Sequence, residues 1–360
     1  MQDKKVILVT GVASFWGFQV ASKLLYDASL EVENPIHVIG LDIEPPSKSI
    51  EGLDFIQADV RNPYLSELLR QEQVDTVCHL AFQECVKHTE TNFDLNVMGT
   101  MKLLGASAEA GVRKVVLKSS TTVYGAYPSN PAFITEDQEI QGVREYGTNR
   151  HLLEIESFCN GFRRQVPDLM LTILRYPNII GLLCDTPMTR FLKQPTAPVL
   201  MGFDPRMQII HEKDVVNSLV HAIQHDKPGV YNIATEEVLT LRRITGLAAK
   251  ITFPIIHPFA YWTQDIINNL TVEGLTSYPI ELDFLRYECV ADLEKMHTAF
   301  DFQPSYTAIE ALRELAGEQR LRRYITGEPP LEYDQERLKD TLDRRQRERE
   351  LANQIQPKDE

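Results

Sequence analysis

The sequence predicts an α/β fold: a doubly wound parallel sheet carrying a smaller, discontinuous C-terminal lobe. Short apolar runs alternate with helix-length segments through about residue 176. The runs are rich in β-branched residues and unbroken in polarity, as strands buried on both faces of a parallel sheet must be. The first run ends on a glycine and leads into an amphipathic stretch, which makes a strand–turn–helix unit. At 360 residues the chain is long enough for such a domain and a lobe beside it.

The strands expected in order are Lys5–Val9, Ile36–Leu41, Asp54–Gln57, Thr76–His79, Val112–Lys118 and Met170–Leu174. Between them the spacing predicts helices over Phe15–Ala28, Pro63–Gln71, Asn92–Ala110 and Glu145–Phe162. After Arg175 the rhythm loosens, with prolines at 187, 195, 198 and 205. A helix over Lys213–His225, a strand over Val230–Ile233 and a helix over Leu241–Lys250 follow. The domain division is therefore 1–180, which also receives about 209–235, a lobe of 181–208 with 236–325, and a tail of 326–360. That tail, with Arg344-Arg345-Gln346-Arg347-Glu348-Arg349-Glu350, reads as a solvated charged helix or frayed end.

The formal charge of −14 argues against nucleic acid, which needs a net basic face. A few local arginines still suffice for a small anionic ligand. The start reads straight into a strand with no leader-like apolar stretch, and no run of about 18 apolar residues could span a bilayer. The five cysteines are scattered and form no CxxC pair, so neither a disulfide framework nor a metal site is expected. A reducing cytoplasm is the default location.

Val6-Ile7-Leu8-Val9-Thr10-Gly11 is a strand ending in glycine, and Gly17 follows one turn later. Gly11 permits a tight turn and Gly17 a close approach of helix to strand, while the helix N-terminus offers amides and a positive dipole to a pyrophosphate. Phe15 and Trp16 stand at that helix start. Ser14 occupies the middle position, usually glycine; a serine there can cap the helix but pushes its side chain toward the diphosphate. Asp42 ends the second strand, where a carboxylate accepts from ribose hydroxyls and repels a 2′-phosphate, favouring NAD over NADP. Together these features describe a Rossmann-type dinucleotide unit.

At this point the chain resembles the extended short-chain dehydrogenases/reductases, the NAD-dependent epimerase/dehydratase class that includes UDP-glucose 4-epimerase. Asp59-Val60-Arg61 resembles the segment whose aspartate contacts adenine, and His79-Leu80-Ala81-Phe82 the strand lining the cofactor. Asn96-Val97-Met98-Gly99-Thr100 resembles the central-helix asparagine motif. The likeness spans roughly residues 5–310, and its joint spacing is more specific than any one piece.

Ser119-Ser120-Thr121-Thr122-Val123-Tyr124-Gly125 resembles the family's serine segment, so Ser120 matches the hydroxyl that bonds the reacting oxygen and Ser119 falls beside the cofactor. Tyr146 opens Tyr146-Gly147-Thr148-Asn149-Arg150, where the family carries Tyr-x-x-x-Lys. On a helix, positions i and i+4 share a face, so a cation can sit beside the phenol and lower its pKa. Tyr146 is then the candidate acid/base, and Arg150 keeps the charge in a larger, planar form. The dehydratases carry an acidic pair after the catalytic hydroxyl; here Thr121 and Thr122 stand there, which argues against 4,6-dehydration.

Leu174-Arg175-Tyr176-Pro177-Asn178 resembles the segment in which residues before the asparagine face nicotinamide and the asparagine touches a substrate diphosphate. The resemblance thus implies Tyr176 and Pro177 at the cofactor, with Thr121, Asn178, Arg206 and Arg286 at the substrate. The usual Gly-Asp after the second arginine is replaced by Tyr287-Glu288. His221 and His225, at i and i+4, read as a helix end and not a metal site. Three readings stay open. The first is an NAD-dependent epimerase-like enzyme on a nucleotide sugar, with Tyr146 and Ser120 handling a hydroxyl. The second is an alcohol dehydrogenase or ketone reductase on a non-nucleotide substrate; the third is a non-catalytic NAD-binding scaffold, prompted by Ser14 and Arg150. The order of segments is that of the epimerase branch, whose members pair as homodimers through the two helices around Asn92–Ala110 and after Glu145.

Overall fold

The computed structural model describes residues 4–30, 35–86, 88–144, 147–194, 196–256, 280–326, 339 and 342–346. Strands β1 (Lys5–Thr10), β2 (Ile36–Asp42), β3 (Asp54–Gln57), β4 (Thr76–His79), β5 (Lys114–Ser120) and β6 (Met170–Tyr176) come first. They are followed by β7 (Asn178–Ile180), β8 (Thr196–Leu200), β9 (Arg206–His211), β10 (Gly229–Asn232), β11 (Val238–Thr240) and β12 (Ile251–Ile255). The main sheet has seven strands in the order β10-β6-β5-β4-β1-β2-β3, all parallel. The strand order reverses between β1 and β4, the position where open α/β sheets leave a crevice at their carboxyl ends.

Helices α1 (Phe15–Leu30), α2 (Leu65–Gln71), α3 (Glu90–Phe93), α4 (Gly99–Ala110) and α5 (Gly147–Gln165) connect the early strands. Helices α6 (Pro187–Lys193), α7 (Glu212–Gln224), α8 (Leu241–Leu247) and α9 (Ala308–Thr326) come later. One sheet face packs Ile7, Val9 and Val116 against Val20 and Leu24 of α1 and Leu219 and Ile223 of α7. The other packs Leu8, Val115 and Leu117 against Leu103 and Leu104 of α4 and Ile155 and Phe162 of α5. Successive side chains therefore enter opposite apolar layers, which is why these strands read as unbroken apolar runs. A third cluster joins Met188, Phe191, Val199, Leu241, Ile244 and Leu312, around the small β11-β9-β7 and β12-β8 sheets.

Two boundaries move in an informative way. The helix expected over Asn92–Ala110 is interrupted by a π turn at Asp94–Met98, which centres on Asn96. Strand β5 runs on to Ser120, carrying the serine segment to the sheet's carboxyl edge. Residues 1–315 form one compact unit and 316–360 a second; most of the charged tail lies outside the described residues, with 342–346 helical. Among the described residues no helix is long and apolar enough to cross a membrane.

Candidate active site

β1 delivers the chain to Gly11, whose φ is +75°. A Cβ at Gly11 would stand 2.6 Å from the Ala81 nitrogen, and one at Gly17 only 2.1 Å from the Gly11 oxygen. The turn thus requires both glycines, the first for its left-handed backbone and the second for helix-on-strand contact. Ser14 behaves differently from expectation. Its Oγ donates to the Gly11 carbonyl at 2.6 Å, so the side chain folds back into the turn and not toward a diphosphate. The first α1 positions, Phe15 and Trp16, keep amides with no intrahelical acceptor, and their rings meet edge-on at 4.8 Å.

Asp42 braces this turn from the end of β2: Oδ2 accepts the Ala13 amide at 2.9 Å and Oδ1 the Ile43 amide at 2.7 Å. Asp59 is forked by Arg61, at 2.9 Å to Oδ1 and 2.5 Å to Oδ2. That hydrogen bond holds its carboxyl below the usual range. Arg61 also reaches Asp94 on the π turn, so the Asp59 segment is tied to the central helix. These contacts suit a dinucleotide cradle: a backbone-only approach at the glycines, free amides above, and a carboxylate held in place beside them.

A buried relay sets the depth of the crevice. The Thr10 hydroxyl accepts the Leu80 and Ala81 amides at 3.1 and 3.2 Å, so its proton goes to His79 Nδ1 at 2.8 Å. His79 then donates from Nε2 to Thr100 Oγ1 at 3.0 Å, and Thr100 donates to the Asn96 carbonyl at 2.5 Å. Burial holds the imidazole neutral, pushing its pKa down to about 4. Asn96 is wholly buried, and its amide pairs with both Gln83 backbone groups at 2.8 Å. The Asn96 side chain thereby positions the segment after β4. Leu80 and Val60 are core residues for the same reason, while Ala81 and Phe82 stay partly exposed.

Ser120 caps a short 3-10 turn, Thr121–Tyr124. Its Oγ accepts from the Thr122 amide at 3.2 Å and the Thr122 hydroxyl at 3.0 Å. With both lone pairs engaged, the serine's own proton is the group left to offer a ligand. Ser119 turns the other way, donating to Glu156 at 2.5 Å in the core, and Thr121 is buried too. Both side chains thus face the core, unlike that of Ser120 between them, as alternation along the chain dictates.

Glu156 belongs to a network that sequence reasoning missed. Its carboxylate takes Arg175 at 2.5–3.1 Å, and Arg175 donates to Tyr124 Oη at 2.7 Å, which donates in turn to Asn232 at 2.7 Å. The pair is 2% and 3% exposed and ties α5 to β6 and to the serine turn. A glutamate on the apolar side of an otherwise amphipathic helix was the signal for it. Tyr146 lies outside the described residues. Arg150 is partly buried on α5, beside His151, whose pKa falls to about 4 through burial, His88 and then Arg150. His151 Nδ1 accepts from Asn96 at 3.0 Å, and its other nitrogen meets His88 at 3.1 Å.

On the substrate side, Asn178 donates to the Gln208 carbonyl at 3.0 Å, and Pro177 beside it is partly exposed. Tyr176 is 0% exposed, with its hydroxyl on Ser218 at 2.8 Å, so its side chain belongs to the core and only its backbone is left for the cofactor contact the resemblance implied. Arg206 forks onto Glu288 at 2.6–2.9 Å. Its charge is therefore already paired within the protein, with both side chains still partly exposed. Arg286 is different: it lies against Tyr287 at 4.5 Å and Phe203 at 5.2 Å, and among the described residues its buried Nε has no acceptor. His221 and His225 stack at 4.2 Å at the end of α7, with His221 bonded to the Phe300 carbonyl. Among the described residues no group of three or more acidic, His or Cys side chains is placed to hold a metal ion.

Comparison with known proteins places this architecture. A model of the NAD dependent epimerase/dehydratase family matches residues 7–234. An uncharacterised protein of Mycobacterium tuberculosis is 33% identical over 323 residues, covering 86% of this chain and 83% of its own. A UDP-glucose 4-epimerase of Oryza sativa is 29% identical over 187 residues, and this alignment takes in only 49% of either chain. Among solved structures, Thermotoga maritima UDP-glucose 4-epimerase with UDP-glucose aligns over 88% of this chain and 99% of its own, with a TM-score of 0.66 and 20% identity. A Streptomyces venezuelae dTDP-glucose 4,6-dehydratase covers 88% and 98%, with a TM-score of 0.67 and 21% identity. Those two share the fold. The extent of the family match shows that the chain belongs to the NAD dependent epimerase/dehydratase family and is an NAD-dependent enzyme.

Proposed function

We propose that the chain is an epimerase-like enzyme acting on a sugar nucleotide. Bound NAD supplies the acceptor and donor of hydride. Gly11 and Gly17 let the backbone approach the dinucleotide, and Asp42 faces its ribose end. Ser120 holds a sugar oxygen by donating its one uncommitted proton, while Tyr146 carries the proton of that hydroxyl. Arg150, four residues further along the chain, keeps a permanent positive charge and in this reading favours the phenolate.

The observation that carries the nucleotide part is Arg286: a buried guanidinium nitrogen without an acceptor among the described residues, flanked by Tyr287 and Phe203, suits a phosphate oxygen beside a planar base. The test is binding of UDP-, GDP- and dTDP-sugars to the purified protein, by native mass spectrometry and calorimetry. At least one should bind, and Arg286→Ala should weaken it about 10–100-fold with NAD retained. Retained NAD without binding of any nucleotide sugar would refute the proposal. The Arg206–Glu288 fork favours a second reading, redox of a non-nucleotide alcohol, which net NADH turnover would identify.

A further inference from the structure

Strand β5 carries two lysines on one face, Lys114 and Lys118, and the protein treats them oppositely. Lys114 is wholly buried, and its ammonium donates to the carbonyls of Ala222, Ile223 and His225 and pairs with Asp226 at 2.9 Å. Lys118 lies four residues nearer the carboxyl edge. Among the described residues its ammonium has no hydrogen bond and no ion pair; its neighbour is the Trp16 ring, 5.2 Å to the centroid. Glu84 is the nearest acidic influence, and its carboxylate is taken by Arg190 at 3.3 Å. Burial pushes the Lys118 pKa down, although solvent still reaches part of the side chain. That is the situation of a group on the floor of a crevice.

The register locates the crevice. Leu117 is level with His79, and His79 with Thr10, so Lys118 stands level with Leu80 and Gly11. It shares the face of Val116, Leu80 and Leu174, the side covered by α1 and α7. The ammonium thus lies at the carboxyl edge of the sheet, one strand across from the glycine turn, against the ring of Trp16 in the first turn of α1. A cation and a positive helix end brought together without an anion are unfavourable; both are satisfied by one negative group.

We propose that Lys118 is a cofactor-anchoring residue, its ammonium pairing with the pyrophosphate of bound NAD at the glycine turn. No other lysine or arginine of the turn or of β4 can do this, since Thr10–Gly17 and Thr76–His79 contain none. The anchor adds a mobile point charge to the fixed amides of Phe15 and Trp16. It belongs to the cofactor and is independent of which substrate the enzyme takes.

The test is equilibrium binding to the full chain, stripped of cofactor, by calorimetry with NAD, ADP-ribose and adenosine. Lys118→Met keeps the length and removes the charge. It should weaken NAD and ADP-ribose by about 10–100-fold and leave adenosine within about threefold. Lys118→Arg should bind all three within about fivefold of the parent, because the charge is kept. The melting temperature of cofactor-free Lys118→Met should equal or exceed that of the parent, since an ammonium without an acceptor has been removed. Unchanged ADP-ribose affinity in Lys118→Met overturns the proposal, and so does an equal loss for adenosine. If Lys118→Met does not fold, Lys118→Gln is read by the same criteria.

Discussion

The buried Glu156–Arg175 pair makes the most direct demand on experiment. Replacing Glu156 by Gln keeps shape and volume but removes the charge that Arg175 faces at 2.5 Å, with both side chains at most 4% exposed. The new amide also turns an NH2 group toward either the guanidinium or Ser119, each of which donates. Breaking one side of a buried ion pair costs about 3–5 kcal/mol, most of it the stranded charge. With a urea slope of about 3 kcal/mol/M, as suits a domain larger than the smallest ones, the unfolding midpoint should fall by about 1–1.7 M. Removing the cation as well should recover part of the loss: Glu156→Gln with Arg175→Met should be less destabilised than the sum of the singles by about 2 kcal/mol. A midpoint within about 0.3 M of the parent, or two substitutions that simply add, would refute the account of this network.

The remaining predictions concern the turn and the histidines. Gly17→Ala places a methyl 2.1 Å from the Gly11 oxygen, so it should destabilise by about 1–3 kcal/mol and abolish NAD binding measured by calorimetry. Gly105→Ala in α4 meets nothing within 4 Å and should stabilise by about 0.5–1 kcal/mol; a loss there would contradict the packing described. His79 and His151 have folded pKa values of about 4, against about 6.5 unfolded. Between those values the unfolded chain binds protons the folded chain does not, so stability is lost as pH falls from about 6.5 toward 4. Asp59, Asp75 and Asp226, lowered from 3.8, act below that window. His79 alone should remove about 2–3 kcal/mol by pH 4.5, seen as a drop of several degrees in melting temperature; a flat profile would be evidence against the buried neutral imidazoles.

What was legible in the sequence was whatever local periodicity and backbone geometry decide. The first six strands, α1 and the glycine turn follow from apolar runs and from positions where a Cβ cannot fit. What was not legible was the direction of individual polar side chains at the crevice. Ser119 and Ser120 are adjacent in sequence, yet one enters the core toward Glu156 and the other faces outward, because β5 extends through both. Asn96 reads as a ligand contact until the π turn rotates it onto Gln83. Lys118 reads as the end of an apolar strand, and only the register through β4 to β1 brings it level with Gly11.

The departures from the family pattern are the places where decay and adaptation should be told apart. A decaying site accumulates residues without partners; here Ser14 is bonded within its turn, and Glu288, which replaces the usual aspartate, has Arg206 forked onto it. Thr122 carries the same argument into the chemistry. A carboxylate at that position could only accept, so Ser120 would point its proton at the neighbouring acid. A threonine hydroxyl can donate, and it donates to Ser120 at 3.0 Å, which directs the serine's proton toward a ligand. On the proposed reading, the loss of the dehydratases' acidic pair is therefore tied to a gain at Ser120. The site gives up the means to expel water from a sugar and keeps the means to hold an oxygen while its carbon is oxidised and reduced.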